Sequence, residues 1–348
     1  MARIKQLPPN DMEIKNIRHT SLRTVAIMSE YPHILLRAEE KPLEHRSFSP
    51  AVIKTLVDAG YPISVERSST DPKFRRIFED SEYEAAGARL VDTGVWPNAE
   101  PGTIILGLKE IPEEDFPLKN DHILPSVETF TDGRGYYLNE DELVNQIRED
   151  LAKAEKALGR KPTALVLGAL GRCGKGAVDL FLKAGMPDEN ITRWDLNETK
   201  DRDGPYEEIA KADVFLNAIY LSKPIPPFIN QELLAKKGRN LAVVIDVSCD
   251  TTNPHNPIPI YSINTTFEDP TVPVEIKDDQ NNLPLSVISI DHLPSMLPRE
   301  ASEAFSEGLK ESLLTLKDRK TSRVWADAEK LFHEKVATLP EELRTKNV

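Results

Sequence analysis

Pro162-Thr163-Ala164-Leu165-Val166-Leu167-Gly168-Ala169-Leu170-Gly171-Arg172-Cys173-Gly174-Lys175-Gly176-Ala177 is the stretch that decides the fold: an apolar run enters a glycine-rich turn and leaves it as a helix. Gly168, Gly171 and Gly174 are spaced GxxGxxG rather than GxGxxG. The physics is shared: glycine permits a tight turn, lets backbone approach a pyrophosphate, and lets the start of the helix pack on its strand. Unpaired N–H groups at that helix start then face the anion, with the helix dipole in the favourable sense. The competing reading is that these glycines only turn the chain. A second signal lies about 27 residues beyond Gly168, where Ile191-Thr192-Arg193-Trp194-Asp195 reads as a strand ending in a carboxylate. An acid there accepts hydrogen bonds from a ribose diol and repels a 2′-phosphate, which favours NAD over NADP. Its alternative role is to cap the next turn. Lys200 and Arg202 follow closely and could serve a phosphate.

Around this stretch, composition sets limits. The chain has 348 residues, 39 % of them apolar, enough for two domains with cores of their own. No uninterrupted apolar run approaches about 18 residues, so no membrane span is expected. The net charge of −13, with no basic block to offset it, argues against nucleic acid as a partner. Two cysteines, Cys173 and Cys249, are too few for a disulfide scaffold, and no C-x-x-C pattern suggests zinc, so no metal is expected. A reducing, cytoplasmic compartment and a monomer are the expectations. Residues 1–30 carry several basic residues but lack the apolar core of a secretory signal, and they contain Asp11 and Glu13. They read as a disordered or mis-started extension. The Lys346-Asn347-Val348 end is not a peroxisomal tripeptide.

The chain alternates strands and helices. His33 to Glu39 reads as a strand, Pro50 to Gly60 as a helix with a glycine stop, and Ile63 to Glu66 as the next strand. Ser81 to Ala88 has helical spacing and Thr103 to Glu110 reads as a strand. This half is doubly wound but has no phosphate loop, which suits a substrate domain. Asp141 to Leu158 repeats apolar residues as an amphipathic helix and stops at Gly159. Beyond the glycine turn, Ala212 to Ile219, Leu241 to Ser248 and Ser286 to Ile290 are continuous apolar strands, as a sheet covered on both faces requires. Helices over Arg299–Leu316 and Arg323–Ala337 close the chain and cross back to the first half. The expected architecture is α/β: two Rossmann-like, doubly wound domains with the active site in the cleft between them. Residues 31–125 with 300–348 form the substrate domain and 126–299 the NAD-binding domain.

Five segments together resemble one family: Gly107-Leu108-Lys109-Glu110, Gly168 to Gly174, Tyr220 to Ile225, Asp246-Val247-Ser248-Cys249-Asp250-Thr251-Thr252-Asn253-Pro254-His255-Asn256-Pro257, and Ile290-Asp291-His292-Leu293-Pro294. The family is that of the fungal, NAD-dependent, lysine-forming saccharopine dehydrogenases, and the resemblance runs from Ile34 to about Phe332. It implies oxidation of the secondary amine of saccharopine by NAD, giving an imine that water cleaves to lysine and 2-oxoglutarate, the last step of the α-aminoadipate route. It also implies NAD contacts at Gly168, Gly171, Arg172, Asp195, Thr199, Tyr220, Val247, Ile290, Asp291, His292 and Leu293. Substrate contacts are implied at Ser248, Cys249 and Asp250. Lys109 matches the catalytic lysine, which burial at a strand end would suit to acid and base steps. Lys41 and Arg46 match basic positions that hold substrate carboxylates, a task for which arginine offers two parallel hydrogen bonds. From the residues alone, Lys109 would be a strand-end lysine, and Lys41 and Arg46 ordinary surface charge.

The resemblance has one break. Asp121-His122-Ile123 passes directly into Leu124-Pro125-Ser126, where the family carries several tens of further residues, among them the catalytic histidine and an arginine near the nicotinamide. His122 corresponds to the residue before that run. Three explanations stand: a skipped exon, an inactive NAD-binding paralogue with a regulatory role, or an altered enzyme. A transcript read across Ile123 and Leu124 separates the first from the others. A related amino-acid dehydrogenase such as alanine dehydrogenase is the enzymatic rival, against which the Asp250 to Pro257 string argues. Cys173 and Cys249 both flank proposed ligand loops. A disulfide between them is left open, beside the plainer reading of a small turn residue and an incidental thiol.

Overall fold

The computed structural model describes residues 31–108, 122–123, 136–221, 223–249, 251, 253–267, 269–290 and 293–341. It contains two mostly parallel sheets. The first half runs β1 (Ile34–Leu36), α1 (Pro50–Asp58), β2 (Ile63–Glu66), α2 (Asp80–Ala85), β3 (Arg89–Val91), β4 (Ile104–Leu106) and β5 (His122–Ile123). These strands form a five-stranded, all-parallel sheet in the order β3-β2-β1-β4-β5. The expected strands over 33–39 and 103–110 are shorter than their apolar runs. Each stops where its backbone turns out of the ladder, and Arg37 N–H still bonds Leu106 O at 2.9 Å. The short β3 and β5 were not anticipated.

The second half begins with α3 (Glu140–Leu158) and continues β6 (Ala164–Leu167), α4 (Arg172–Lys183), β7 (Ile191–Trp194), α5 (Leu196–Thr199), α6 (Glu207–Lys211), β8 (Val214–Asn217), α7 (Gln231–Ala235), β9 (Val243–Asp246), β10 (Val272–Pro273) and β11 (Ser286–Ile288). Its sheet has the order β10-β11-β9-β8-β6-β7, with only β10 antiparallel. Two helices follow, α8 (Pro298–Leu314) and α9 (Arg323–Val336).

Local chemistry sets the helix ends. Ser49 caps α1 with Pro50 in its first turn, and Gly60 follows at φ +102°. Asn139 accepts from Glu142 N–H at 2.9 Å to start α3, whose first turn is acidic, and Gly159 ends it at φ +66°. Successive strand residues feed opposite faces of the second sheet. Leu165, Leu167, Phe215, Val244 and Val287 pack on one side, and Ala164, Val166 and Leu216 on the other. The first sheet's main core takes Ile34, Leu36, Val52, Leu56, Val65 and Ile104 together with Leu313 at the end of α8 and Leu316 just beyond it. The N–H groups of Ser47 and Ser49 donate to Ser302 and Ser306 of α8 at 3.1 and 2.9 Å. Helix α8 therefore returns to the first sheet, as expected. Where the chain passes between the two sheets, Tyr137 N–H bonds Met296 O at 2.8 Å and Glu140 N–H bonds Glu300 Oε1 at 3.0 Å. No helix among the described residues is long and apolar enough to cross a membrane.

Candidate active site

In an open parallel sheet, ligands bind beyond the carboxyl ends of the strands, where the strand order reverses. In the second sheet that reversal falls between β6 and β8. The topology sends Gly168 just past β6, Asp195 just past β7, Tyr220 past β8, Val247, Ser248 and Cys249 past β9, and Ile290 past β11. Residues spread over more than a hundred positions of sequence thus share one edge. In the first sheet the reversal lies between β1 and β4. Lys41 and Arg46 follow β1, and Gly107 and Leu108 follow β4. Lys109, Asp250, Asp291 and His292 lie outside the described residues.

The glycine turn is built by contact rather than by composition. Gly168 has φ +87°, and a Cβ there would stand 2.9 Å from Ala218 O. Its N–H bonds Trp194 O at 2.8 Å, which ties the turn to β7. A Cβ on Gly174 would stand 2.1 Å from Gly168 O and 2.7 Å from Ala169 Cα, so only glycine lets α4 start this close to the turn. Gly171 is the N-cap residue and brings no side chain to the helix start, and Arg172 and Cys173 are exposed there. The result is a cradle a side chain would fill, ending in backbone donors without a side-chain cap. It fits an anionic group such as a pyrophosphate.

Asp195 caps the next helix and also reaches the glycine turn. Its Oδ1 accepts from Leu196 N–H at 2.8 Å, capping α5 in a reciprocal box with Glu198. Its Oδ2 accepts from Leu170 N–H of the glycine turn at 3.2 Å. The residue is half-buried, at the edge where a ribose diol would lie. Thr199 Oγ lies 3.2 Å from Asp195 O, where it bonds the backbone of α5. Leu170 and Tyr220 are 64 % and 69 % exposed, an apolar lip along the same edge. Val247 N–H bonds Asn217 O at 2.9 Å, Ile290 is buried, and Leu293 opens a short helical turn before α8.

Beneath the Ser248–Cys249 turn lies a buried polar network that the sequence did not reveal. Asp246, at the end of β9, is 1 % exposed. Its Oδ1 accepts from Ser248 Oγ at 2.6 Å and N–H at 3.1 Å, and from Asn217 Nδ2 at 3.0 Å. Its Oδ2 accepts from Tyr261 O–H at 2.6 Å, and Ser289 Oγ sits 3.0 Å from that phenol. Burial and the adjoining Asp246 charge push the Tyr261 phenol well above its ordinary range, so it remains a donor. Cys249 is buried, adopts φ +49°, and directs its thiol to Asp246 O at 2.9 Å. Neither Cys249 nor the exposed Cys173 is in a disulfide.

The first sheet's edge is more heavily charged than expected. Arg46 is buried, not a surface charge, and its Nε and Nη2 bond the two oxygens of Glu44, each at 2.9 Å. Lys41 is half-buried in the same loop. Arg37 and Glu39, both buried, pair at 3.1 Å, and Glu39 also accepts from Leu108 N–H at 2.7 Å. A Cβ on Gly107 would meet Arg37 Nε at 2.4 Å, so the turn that leads to Lys109 is fixed against this pair. Beside Arg46, burial lowers the pKa of His45, whose Nδ1 lies 2.5 Å from Arg75 O.

Two parallel-sheet α/β units, one with a glycine cradle at its switch point, define a class: the Rossmann-like folds of the alanine dehydrogenase type. The family model for the alanine dehydrogenase/PNT N-terminal domain matches residues 35–153. A solved L-alanine dehydrogenase structure covers 82 % of this chain and 90 % of its own at TM-score 0.52 and 15 % identity, a likeness of fold alone. The saccharopine dehydrogenase [NAD(+), L-lysine-forming] of Yarrowia lipolytica is 46 % identical over 370 residues, covering 88 % of this chain and 98 % of its own. That of Emericella nidulans is 46 % identical over 374 residues, with the same coverage. The chain belongs to the family of NAD-dependent, lysine-forming saccharopine dehydrogenases. Because 370 aligned residues take up only 88 % of a 348-residue chain, the Yarrowia protein carries several tens of residues without a counterpart here.

Proposed function

We propose that this chain oxidises saccharopine with NAD and water to L-lysine, 2-oxoglutarate and NADH, at a rate lowered by the missing segment. One observation carries the reading: near half-identity to the Yarrowia lipolytica enzyme over 98 % of that enzyme's length. The cradle of Gly168, Gly171 and Gly174 supports it, since those residues and Arg172 would hold the pyrophosphate, and Asp195 the ribose. NAD, when bound, supplies the hydride acceptor. Ser248, Cys249 and Asp250 bind the substrate, Arg46 and Lys41 hold its carboxylates, and Lys109 takes the proton from its secondary amine. Thr199, Tyr220, Val247, Ile290, Asp291, His292 and Leu293 complete the dinucleotide contacts. Residues 126–299 form the NAD domain, and residues 31–125 with 300–348 the substrate domain, a division supported by the packing of Leu313 and Leu316 on the first sheet. A cytoplasmic monomer belongs to the same proposal, and its mass in solution should be 39.1 kDa.

This reading puts the several tens of residues without counterpart between Ile123 and Leu124, and takes the family's catalytic histidine to go with them. General acid–base catalysis contributes about a hundredfold or more. The expected result is NADH binding with saccharopine turnover at least about a hundredfold below that of the Yarrowia lipolytica enzyme, and none in Lys109→Met. NADH formation from saccharopine at alkaline pH is the assay. Turnover equal to the relative's refutes the impairment, and a chain that binds no NADH refutes the function.

A further inference from the structure

We infer that Tyr261 is a positioning residue: through the buried Asp246 carboxylate it fixes the Ser248–Cys249 turn, and so sets the substrate side of the site. The inference rests on the proposed function and adds residues that the family resemblance did not supply. The Asp246 side chain joins the ends of three neighbouring strands. Asn217 ends β8, Asp246 ends β9, and Ser289 follows β11, while Tyr261 enters from the connection between β9 and β10.

Two features argue for positioning over simple stabilisation. A buried carboxylate is seldom a net gain in stability, since an apolar substitute of like volume usually does as well. Here the charge is spent on one turn: Ser248 is bound through both Oγ and N–H, and Cys249 through its thiol to the Asp246 carbonyl. Cys249 also stands at φ +49°, a left-handed conformation that a non-glycine residue keeps only when its surroundings enforce it. Asp246 supplies several of the enforcing contacts, with Asn217 Nδ2 adding a bond to Ser248 Oγ at 3.3 Å. Among the described residues, the side-chain donor to Asp246 Oδ2 is Tyr261, and Ser289 donates to the phenol oxygen in turn. Without the phenol O–H, Oδ2 loses this donor while Oδ1 keeps its bonds to Ser248 and Asn217, so the carboxylate can tilt about that anchored side and shift the Ser248 bonds that hold the turn. Val247 is held instead by its backbone bond to Asn217 O and by packing against the sheet, and Ile290 is buried, so the dinucleotide side should hardly notice.

The test uses the full chain, with NADH binding followed by its fluorescence and 2-oxoglutarate titrated into the NADH-saturated protein. Tyr261→Phe keeps the ring and removes the donor. It should weaken 2-oxoglutarate roughly tenfold to a hundredfold, as loss of a hydrogen bond to a charged group does. NADH affinity should stay within about twofold and the melting temperature within a few degrees. Ser289→Ala, which leaves the Tyr261–Asp246 bond in place, should act in the same direction by about threefold, and it carries the test if Tyr261→Phe does not fold. Unchanged 2-oxoglutarate affinity in the variants overturns the inference. So does a fall in NADH affinity and melting temperature in step with it, which marks a structural role only. A wild-type chain that binds no NADH, or binds NADH but no 2-oxoglutarate, refutes the proposed function itself, and this inference falls with it.

Discussion

Replacing Gly174 by alanine tests the cradle most directly. The added Cβ would stand 2.1 Å from Gly168 O and 2.7 Å from both Gly168 C and Ala169 Cα, against ordinary contact distances from about 3.4 Å upward. Every atom in the way is backbone, so no side chain can swing aside. The start of α4 must back away from the turn by about 1 Å, and overpacking of this kind costs about 1–3 kcal/mol. Alanine's better helix propensity returns at most about 1 kcal/mol of that. A retreat of about 1 Å moves the helix-start N–H groups from about 3 Å to about 4 Å from a bound phosphate oxygen, beyond hydrogen-bond range. Loss of one such charge-assisted bond is worth about 1.5–3 kcal/mol, so NADH affinity should drop at least about tenfold. Gly176, in the same helix, has no atom within 4 Å of its virtual Cβ. Gly176→Ala should therefore bind NADH like the wild type and melt no lower. Fluorescence titration with NADH and thermal melts of the three proteins decide the matter. If Gly174→Ala binds like the wild type, or Gly176→Ala weakens as much, the close approach of α4 is not what holds the pyrophosphate.

Asp195→Asn keeps a good cap for α5 but removes the charge. NADH should bind about tenfold more weakly and the preference should move toward NADPH, whereas an unchanged NADH-to-NADPH ratio would leave Asp195 a cap and nothing more. Burial pushes the Asp213 carboxyl up, but bonds from Arg160 and Thr163 outweigh it and hold the group below its ordinary value. That contribution is present above about pH 4 and lost as acid protonates the group. Asp213→Ala should cost about 1–3 kcal/mol at neutral pH, read from urea unfolding, because it leaves Thr163 N–H without its acceptor. His33 and His45 are both lowered, chiefly by burial, with Arg89 adding to the effect at His33. The unfolded chain thus binds more protons than the folded one as pH falls below about 6.5, so stability is full above that value and declines beneath it. Melting temperatures across pH 5 to 8 should show the decline, and a flat profile would count against both burials.

Much of this was legible one residue at a time. A short apolar run, glycines at a turn and a carboxylate at the next strand end each answer to local geometry, so the order of strands and helices around Gly168 and Asp195 could be read from the chain. The same local logic overran at Ala38 and Leu108, because an apolar run does not say where a ladder runs out of partners. Arg46 shows a different limit. An arginine in a polar loop looks like surface charge until the loop is folded over β1 and Glu44 is seen to hold it.

The sequence by itself determined that a strand, a glycine turn and a helix form a nucleotide-type cradle, because backbone sterics act between neighbours in the chain. Tertiary structure alone decided that Asn217, Asp246, Tyr261 and Ser289 meet under one turn and that Arg37 and Glu39 brace Gly107. Parallel strands bring residues together only through crossovers, and no local pattern records which strand ends will lie side by side.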